Sequence, residues 1–253
     1  MLAADGITHR YRRGPAQPAL SDVSFSAAPG ESVGVVGRSG SGKSTLLTIL
    51  LALERPSEGG VALDDAAVRP GSVRRLRWFR RRVQYVPQEP GSTLEPRMTV
   101  AQLVLEPLRR LDVPGEHRRL VSAALDDVGL PAAMLKRRPG ELSGGQAQRV
   151  ALARSIVSGP EYLLADEPVS GLDLPLRDRV LELLRELTEH RSLGLVFVSH
   201  DLDAVARLCR RCVVLADGRI VEEGATADLL RRPEHPATRE LLDAVPVLLG
   251  VDR

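Results

Sequence analysis

The sequence predicts an α/β fold of the phosphate-loop kind: a mostly parallel sheet with helices on both faces and a helical subdomain inserted midway. Three observations predict it. First, Gly37-Arg38-Ser39-Gly40-Ser41-Gly42-Lys43-Ser44-Thr45 fits G-x-x-x-x-G-K-[ST]. It follows a short apolar run at 31–36 that reads as a buried strand. It precedes a helical pattern with Leu46, Leu47, Ile49, Leu50, Leu51 and Leu53 on its apolar face. Second, the latter half of the chain alternates strand and helix patterns, which implies parallel strands joined by crossover helices. Third, short helical patterns rich in Leu and Arg fill 90–157, between the two halves of that core.

Taken in order, residues 2–10 and 23–27 alternate as strands do, with a polar loop at 12–18 between them. Pro29-Gly30 turns the chain into the phosphate-loop strand. Tyr11, at the end of the first strand, offers a face on which a nucleobase can stack; an ordinary surface tyrosine is the bland alternative. Gly59-Gly60 leads into a strand at 61–63. Arg74, Arg75, Arg77, Arg80, Arg81 and Arg82 form a basic run, read as one solvated helix turn in preference to a nucleic-acid patch. A strand at 83–86 stops at Pro87-Gln88-Glu89-Pro90, because proline brings no N–H to a ladder. A polar loop at 91–97 leads to helical patterns at 100–111 and 117–128. Then come a helix at 147–156, a strand at 162–165, an amphipathic helix at 176–189 and a strand at 193–198. A helix at 201–208 and a strand at 212–216 follow. Asp217-Gly218 makes a hairpin turn into a strand at 219–222, since these residues accept positive φ at little cost. A short helical tail occupies 225–253.

Composition excludes more than it identifies. Hydrophobic residues are 43 % and charged residues 27 %, the balance of an ordinary globular protein. A net charge of +2 is too slight to argue for nucleic acid, and 3 % aromatics leaves few platforms for stacking single strands. The chain has no Asn, four Ile and two Lys, a usage that points to GC-rich codons. Because nearly every other basic residue is Arg, Lys43 is informative. Asp5 interrupts the apolar start, so no signal peptide is expected, and no apolar run approaches the roughly 18 residues of a membrane span. Cys209 and Cys212 form a lone C-x-x-C without a second ligand pair. They read as reduced cysteines packed at a helix–strand junction, a usage that suits a cytosolic protein.

The chemistry concentrates in five places. In the phosphate loop, glycines 37, 40 and 42 let backbone N–H groups and the helix N-terminus surround phosphate oxygens. Lys43 adds a charge for the β- and γ-phosphates, and the Ser44 hydroxyl can ligate Mg²⁺. The apolar strand Tyr162-Leu163-Leu164-Ala165 runs into Asp166-Glu167, and two carboxylates at a buried strand end call for a cation. Asp166 would hold the ion's water shell, and Glu167 would orient or deprotonate an attacking water. Gln88 follows a strand edge and offers a neutral oxygen to the ion or the water. His200 ends the strand at 193–199, placed to hydrogen-bond a γ-phosphate. Leu142-Ser143-Gly144-Gly145-Gln146 is a second Ser/Gly turn at a helix N-terminus, hence a second anion site. One nucleotide cannot use both cradles in one small domain, so the second serves another ligand or another subunit.

These motifs, with Ser170-Gly171-Leu172-Asp173, occur in an order that resembles the ATP-binding subunit of an ABC transporter across nearly the whole chain. The resemblance implies an ABC-type phosphate-loop ATPase domain over 1–253, with N-terminal antiparallel strands, the helical insert near 90–157 and the tail at 225–253. It implies ATP and Mg²⁺, with Ser44, Gln88 and Asp166 at the metal. Tyr11 resembles the base-stacking aromatic, Gln88 the residue coupled to membrane subunits, and Glu167 the catalytic glutamate, beside Lys43 and the γ-phosphate sensor His200. Ser143, Gly144, Gly145 and Gln146, with Leu142, resemble the signature that closes over ATP held by the opposite subunit. Asp173 resembles the cross-dimer aspartate. The implied partners are a second ATPase subunit (a copy or a paralogue), two membrane permeases and, indirectly, an extracytoplasmic solute-binding protein. The implied location is the cytoplasmic face of the cell membrane.

The segments 82–88, 93–100 and 106–108, with His235-Pro236-Ala237-Thr238-Arg239-Glu240-Leu241-Leu242, resemble the peptide/nickel importer group. Lys136-Arg137-Arg138-Pro139 leans towards its shorter, nickel-type members. Pro87 departs from the Phe usual there, and the cysteine-bearing extension of many peptide-type members is absent from the sequence. The alternatives are an exporter or lipoprotein-release ATPase, and a soluble ABC ATPase acting in DNA repair or translation.

Overall fold

The computed structural model describes residues 1–11 and 17–244; most of the loop expected at 12–18 and the end of the tail expected at 225–253 lie outside them. Strands β1 (Leu2–His9) and β2 (Leu20–Ala27) alternate buried and more exposed side chains, because one face of each lies on the core. β3 (Ser32–Val36) is buried almost throughout and runs into the phosphate loop, from which α1 (Lys43–Leu50) starts. α1 stops sooner than its leucines imply. Ala52 adopts φ 52° and the amides of Leu53 and Glu54 turn back onto Thr48 O, which leaves Leu53 56 % exposed instead of on the apolar face. β4 (Glu58–Leu63) and the unanticipated β5 (Ala66–Val68) form a hairpin across Asp64-Asp65, both at positive φ.

The basic run becomes α2 (Val73–Arg82), longer than one turn, capped by Ser72 and anchored by buried Leu76 and Phe79. Its last residue, Arg82, pairs with Asp64 and Glu161 and so ties the helix to the N-terminal sheet. After β6 (Val83–Val86) come α3 (Val100–Arg110), α4 (His117–Asp127) and α5 (Gly144–Ile156), which pack on one another. Capping boxes at Thr99/Gln102 and Ser143/Gln146 start α3 and α5. Then follow β7 (Tyr162–Asp166), α6 (Leu174–Arg191), β8 (Gly194–Val198), α7 (Leu202–Leu208) and β9 (Arg211–Ala216). β10 (Arg219–Ala225) takes in the first residue of the expected tail, and α8 (Thr226–Arg231) and α9 (Pro236–Asp243) follow it.

The strands form two sheets, a four-stranded one ordered β2-β1-β4-β5 and a six-stranded one ordered β10-β9-β3-β8-β7-β6. The first is antiparallel. In the second only the β9–β10 hairpin is antiparallel. One apolar core lies between the antiparallel sheet, α1 and one face of the parallel sheet. The other joins the opposite face to α3–α7. β3 lies between β8 and β9, with β7 beyond β8, so the loops at their carboxyl ends meet at one edge. Cys209 ends α7 and Cys212 lies in β9; both thiols are free and buried, and burial pushes Cys212 up to about 12.

Candidate nucleotide site

A cavity of about 940 Å³ opens where those carboxyl ends meet. The phosphate loop forms one wall through Ser39, Gly40, Gly42, Lys43, Ser44 and Thr45. Gly37 sits where the loop leaves β3, and a Cβ there would stand 2.2 Å from the carbonyl oxygen of Leu215 in β9. Only glycine lets the two backbones approach that closely. Lys43 Nζ donates to the carbonyls of Gly37 (2.7 Å) and Arg38 (3.0 Å), closing the loop on itself. Burial lowers the Lys43 pKa, and Glu167 and Asp166 counter part of that shift.

Opposite the loop stand Glu167, His200 and Gln88. Glu167 adopts φ 46°, a left-handed conformation that costs a non-glycine residue about 1 kcal/mol or more. Its amide donates to Val198 O (2.9 Å), and its Oε2 lies 3.1 Å from His200 Nδ1. The strained backbone therefore aims the carboxylate at the histidine of the neighbouring strand end. Asp166 is half-buried, and burial, then the charge of Glu167, raises its pKa. The Tyr85 hydroxyl donates to Asp166 Oδ2 at 3.5 Å, and burial together with Asp166 pushes that phenol up to about 12. Tyr11 flanks the cavity 45 % exposed, its hydroxyl 3.1 Å from Thr45 Oγ1.

The remaining expected residues lie apart from the cavity lining. Arg38 points away from it and pairs with Glu240 of α9 at 3.1 Å. Ser41 is buried inside the loop. Ser143 caps α5, its Oγ accepting from the Gln146 amide while Gln146 Oε1 accepts from the Ser143 amide. Ser143 and Gly145 line a different cavity, of about 580 Å³, together with Asp173. Asp173 caps α6, accepting from the Leu176 amide at 2.9 Å.

The family described as ABC transporter matches residues 20–170, more than half of the chain. The chain belongs to that family. A Brucella ovis protein named as a peptide import ATP-binding protein is 42 % identical over 97 % of this chain and 78 % of its own length. The nickel import ATP-binding protein NikE of Rhodospirillum rubrum is 39 % identical over 97 % of this chain and 91 % of its own length. The dimeric structure of a post-hydrolysis state of the ATP-binding cassette MJ0796, bound to ADP and Pi, superposes with a TM-score of 0.78. It is 31 % identical, over 89 % of this chain and 99 % of that one.

The chain is thus an ABC ATPase. Five residues lining the cavity escaped sequence reading: Gln17, Pro18, Ala19, Asp217 and Gly218. Asp217-Gly218 gave a turn signal, but its role as a wall comes from the Gly218 amide donating to Ser41 O at 3.1 Å. Among the described residues no three His, Cys, Asp or Glu side chains cluster to hold a metal. The oxygen donors lining the cavity include a hydroxyl (Ser44) and a side-chain amide (Gln88). That oxygen-only set, short of protein carboxylates, fits a hard divalent cation that arrives on a nucleotide and keeps part of its water shell.

Proposed function

We propose that this chain is the energy-coupling ATPase subunit of an importer, working as one of two ATPase subunits beneath a pair of membrane permeases. One observation carries the reading. Phosphate loop, Glu167 and His200 share one cavity, while the Ser143–Gly145 turn opens on another beside Asp173. A Cβ on Gly145 would stand 2.7 Å from Leu176 Cδ1, the movable tip of a leucine; around Gly144 nothing lies within 4 Å. A bare backbone facing outward at a helix N-terminus suits the phosphates of a nucleotide held by another subunit. The site is then half of a composite one, completed head to tail by a copy or a paralogue.

In this reading Tyr11 stacks on the base, and the loop from Gly37 to Thr45, with Arg38 and Ser41 as its scaffold, encloses the phosphates. Lys43 exchanges its carbonyl partners for phosphate oxygens. Ser44, Gln88 and Asp166 hold Mg²⁺, which neutralises charge on the phosphates when bound. Glu167, held by His200, orients the attacking water and accepts its proton. Leu142, Ser143, Gly144, Gly145 and Gln146 close over the other subunit's ATP, with Asp173 at the contact. The whole chain acts as one ATP-binding domain, with 90–157 as its helical part and the residues after 225 as a tail.

The permease face is an apolar cavity of about 290 Å³ lined by Leu51, Phe79, Tyr85 and Leu111 and rimmed by Arg80, Arg110 and Arg154. Exposed Leu53 and Val73 lie at its edge. Gln84 lines it, four residues before Gln88, so a partner seated there presses close to the ATP site. In this reading the subunit sits at the cytoplasmic face of the membrane. Peptides or nickel chelates are the cargo its relatives' names support. The test is co-purification from native membranes, then ATPase assays with candidate peptides and Ni²⁺ chelates plus the cognate binding protein. Stimulation by one class identifies the cargo, and no permease in the purified material overturns the reading.

A further inference from the structure

We propose that His9 is the positioning residue of the nucleobase platform, fixing Tyr11 before ATP arrives; this rests on the reading that Tyr11 stacks on the base. His9 is the last residue of β1 and is only 7 % exposed. The His9 and Tyr11 rings meet edge to face, with centroids 4.7 Å apart and an interplanar angle of 87°. Such contacts have a preferred geometry because the positive edge of one ring faces the negative face of the other. The imidazole is itself held: its Nε2 lies 3.1 Å from Glu54 Oε2, and the Glu54 amide bonds to Thr48 O at the end of α1. The His9 carbonyl accepts from the amide of Ala19, a wall of the ATP cavity.

Satisfying the imidazole does not explain this position. Neither His9 nitrogen makes an aligned hydrogen bond among the described residues, although both are buried. A buried polar ring left in that state costs stability. What the ring provides is an edge against Tyr11. Tyr11 is 45 % exposed, and among the described residues its hydroxyl meets Thr45 Oγ1. Two anchors, the ring contact with His9 and the hydroxyl contact with Thr45, remove rotamer freedom that binding would otherwise have to suppress.

Equilibrium binding of ATP and of inorganic tripolyphosphate, both with Mg²⁺, tests the proposal, because only ATP carries a base. His9→Ala should weaken ATP by about 3- to 10-fold, the worth of one aromatic pair. It should leave tripolyphosphate within about twofold of wild type, which also shows that the fold survives. In hydrolysis the same change should raise KM with kcat unchanged, and His9→Phe, which keeps a ring edge, should restore KM. Equal weakening of both ligands by His9→Ala would reduce His9 to a structural part and overturn the proposal. So would loss of ATP affinity in Tyr11→Ala but none in His9→Ala. If Tyr11→Ala costs ATP nothing relative to tripolyphosphate, the stacking reading itself falls, and the role of His9 with it.

Discussion

Replacing Glu167 with glutamine removes a charge and a base while leaving the shape of the site in place. The side chain keeps its length, stays within reach of His200, and inherits the same φ of 46°, so backbone strain is equal in both proteins. What disappears is the capacity to accept a proton. A positioned base contributes about 10²- to 10⁴-fold, equivalent to about 2.7–5.5 kcal/mol of barrier. The structure favours a full effect, since Glu167 is already held by the Val198 carbonyl and by His200 and needs no reorganisation. Binding should move the other way. After burial, the Glu167 charge is the second cause raising the Asp166 pKa. Without it Asp166 ionises more readily, and a triphosphate meets one negative charge fewer. Glu167→Gln should therefore bind Mg·ATP as tightly as wild type or more so, and turn it over about 10²-fold or more slowly. Phosphate release in the assembled complex measures the second quantity, and equilibrium ATP binding the first. Hydrolysis within about threefold of wild type would remove Glu167 from the mechanism. A loss of affinity as large as the loss of rate would mean that the carboxylate serves binding instead.

Gly37→Ala forces a methyl group to within 2.2 Å of Leu215 O, so loop or strand must shift; the cost should be about 1–3 kcal/mol. A thermal melt should show a fall of about 2–4 °C per kcal/mol, with little of the stabilisation ATP gives wild type. Leu174 follows Asp173 and is 67 % exposed, so Leu174→Asp should leave the melting temperature unchanged yet prevent ATP-induced dimerisation in the Glu167→Gln background, read by light scattering. Glu31 accepts from Arg211, whose hydrogen bond holds its carboxyl below the ordinary 4.5. Because the folded-state value is the lower one, the stabilisation is complete above 4.5 and is lost as pH falls through that depressed value. Urea melts across this range should show Glu31→Gln less stable than wild type at neutral pH, with the two converging in acid.

The parallel strands were legible because burial on both faces writes an unbroken apolar run, as in 33–36, 162–165 and 194–198. The carboxylates Asp166 and Glu167 stood out for the same reason, since their charge ends such a run. β5 was not, because three residues carry no period and its hairpin turn uses two aspartates where glycine is the usual signal. Leu53 misled through its spacing: it lies in helical register with the buried leucines, but the backbone leaves the helix at Ala52. The walls formed by Ala19 and Asp217-Gly218 were illegible for a different reason. They are brought to the phosphate loop by β9 pairing with β3 and by hydrogen bonds from the Gly218 amide to Ser41 and the Ser21 amide to Gly218. Those are contacts between segments far apart in the chain, and no local pattern encodes them.

The same distinction bears on the composite site. Gly37 is explained within the chain by the backbone oxygen of Leu215. Gly144 is not, for a side chain there would meet open space. Its helix is already capped by Ser143 and Gln146, so a missing side chain adds nothing to the start of α5 and costs some helix propensity. A glycine whose own fold would accept alanine points to a requirement outside the chain. The neighbour that imposes it must approach the backbone more closely than a methyl group permits. Phosphate oxygens bound to the free N–H groups of a helix N-terminus approach in that way, which supports the proposal that Gly144 faces the ATP of a second subunit.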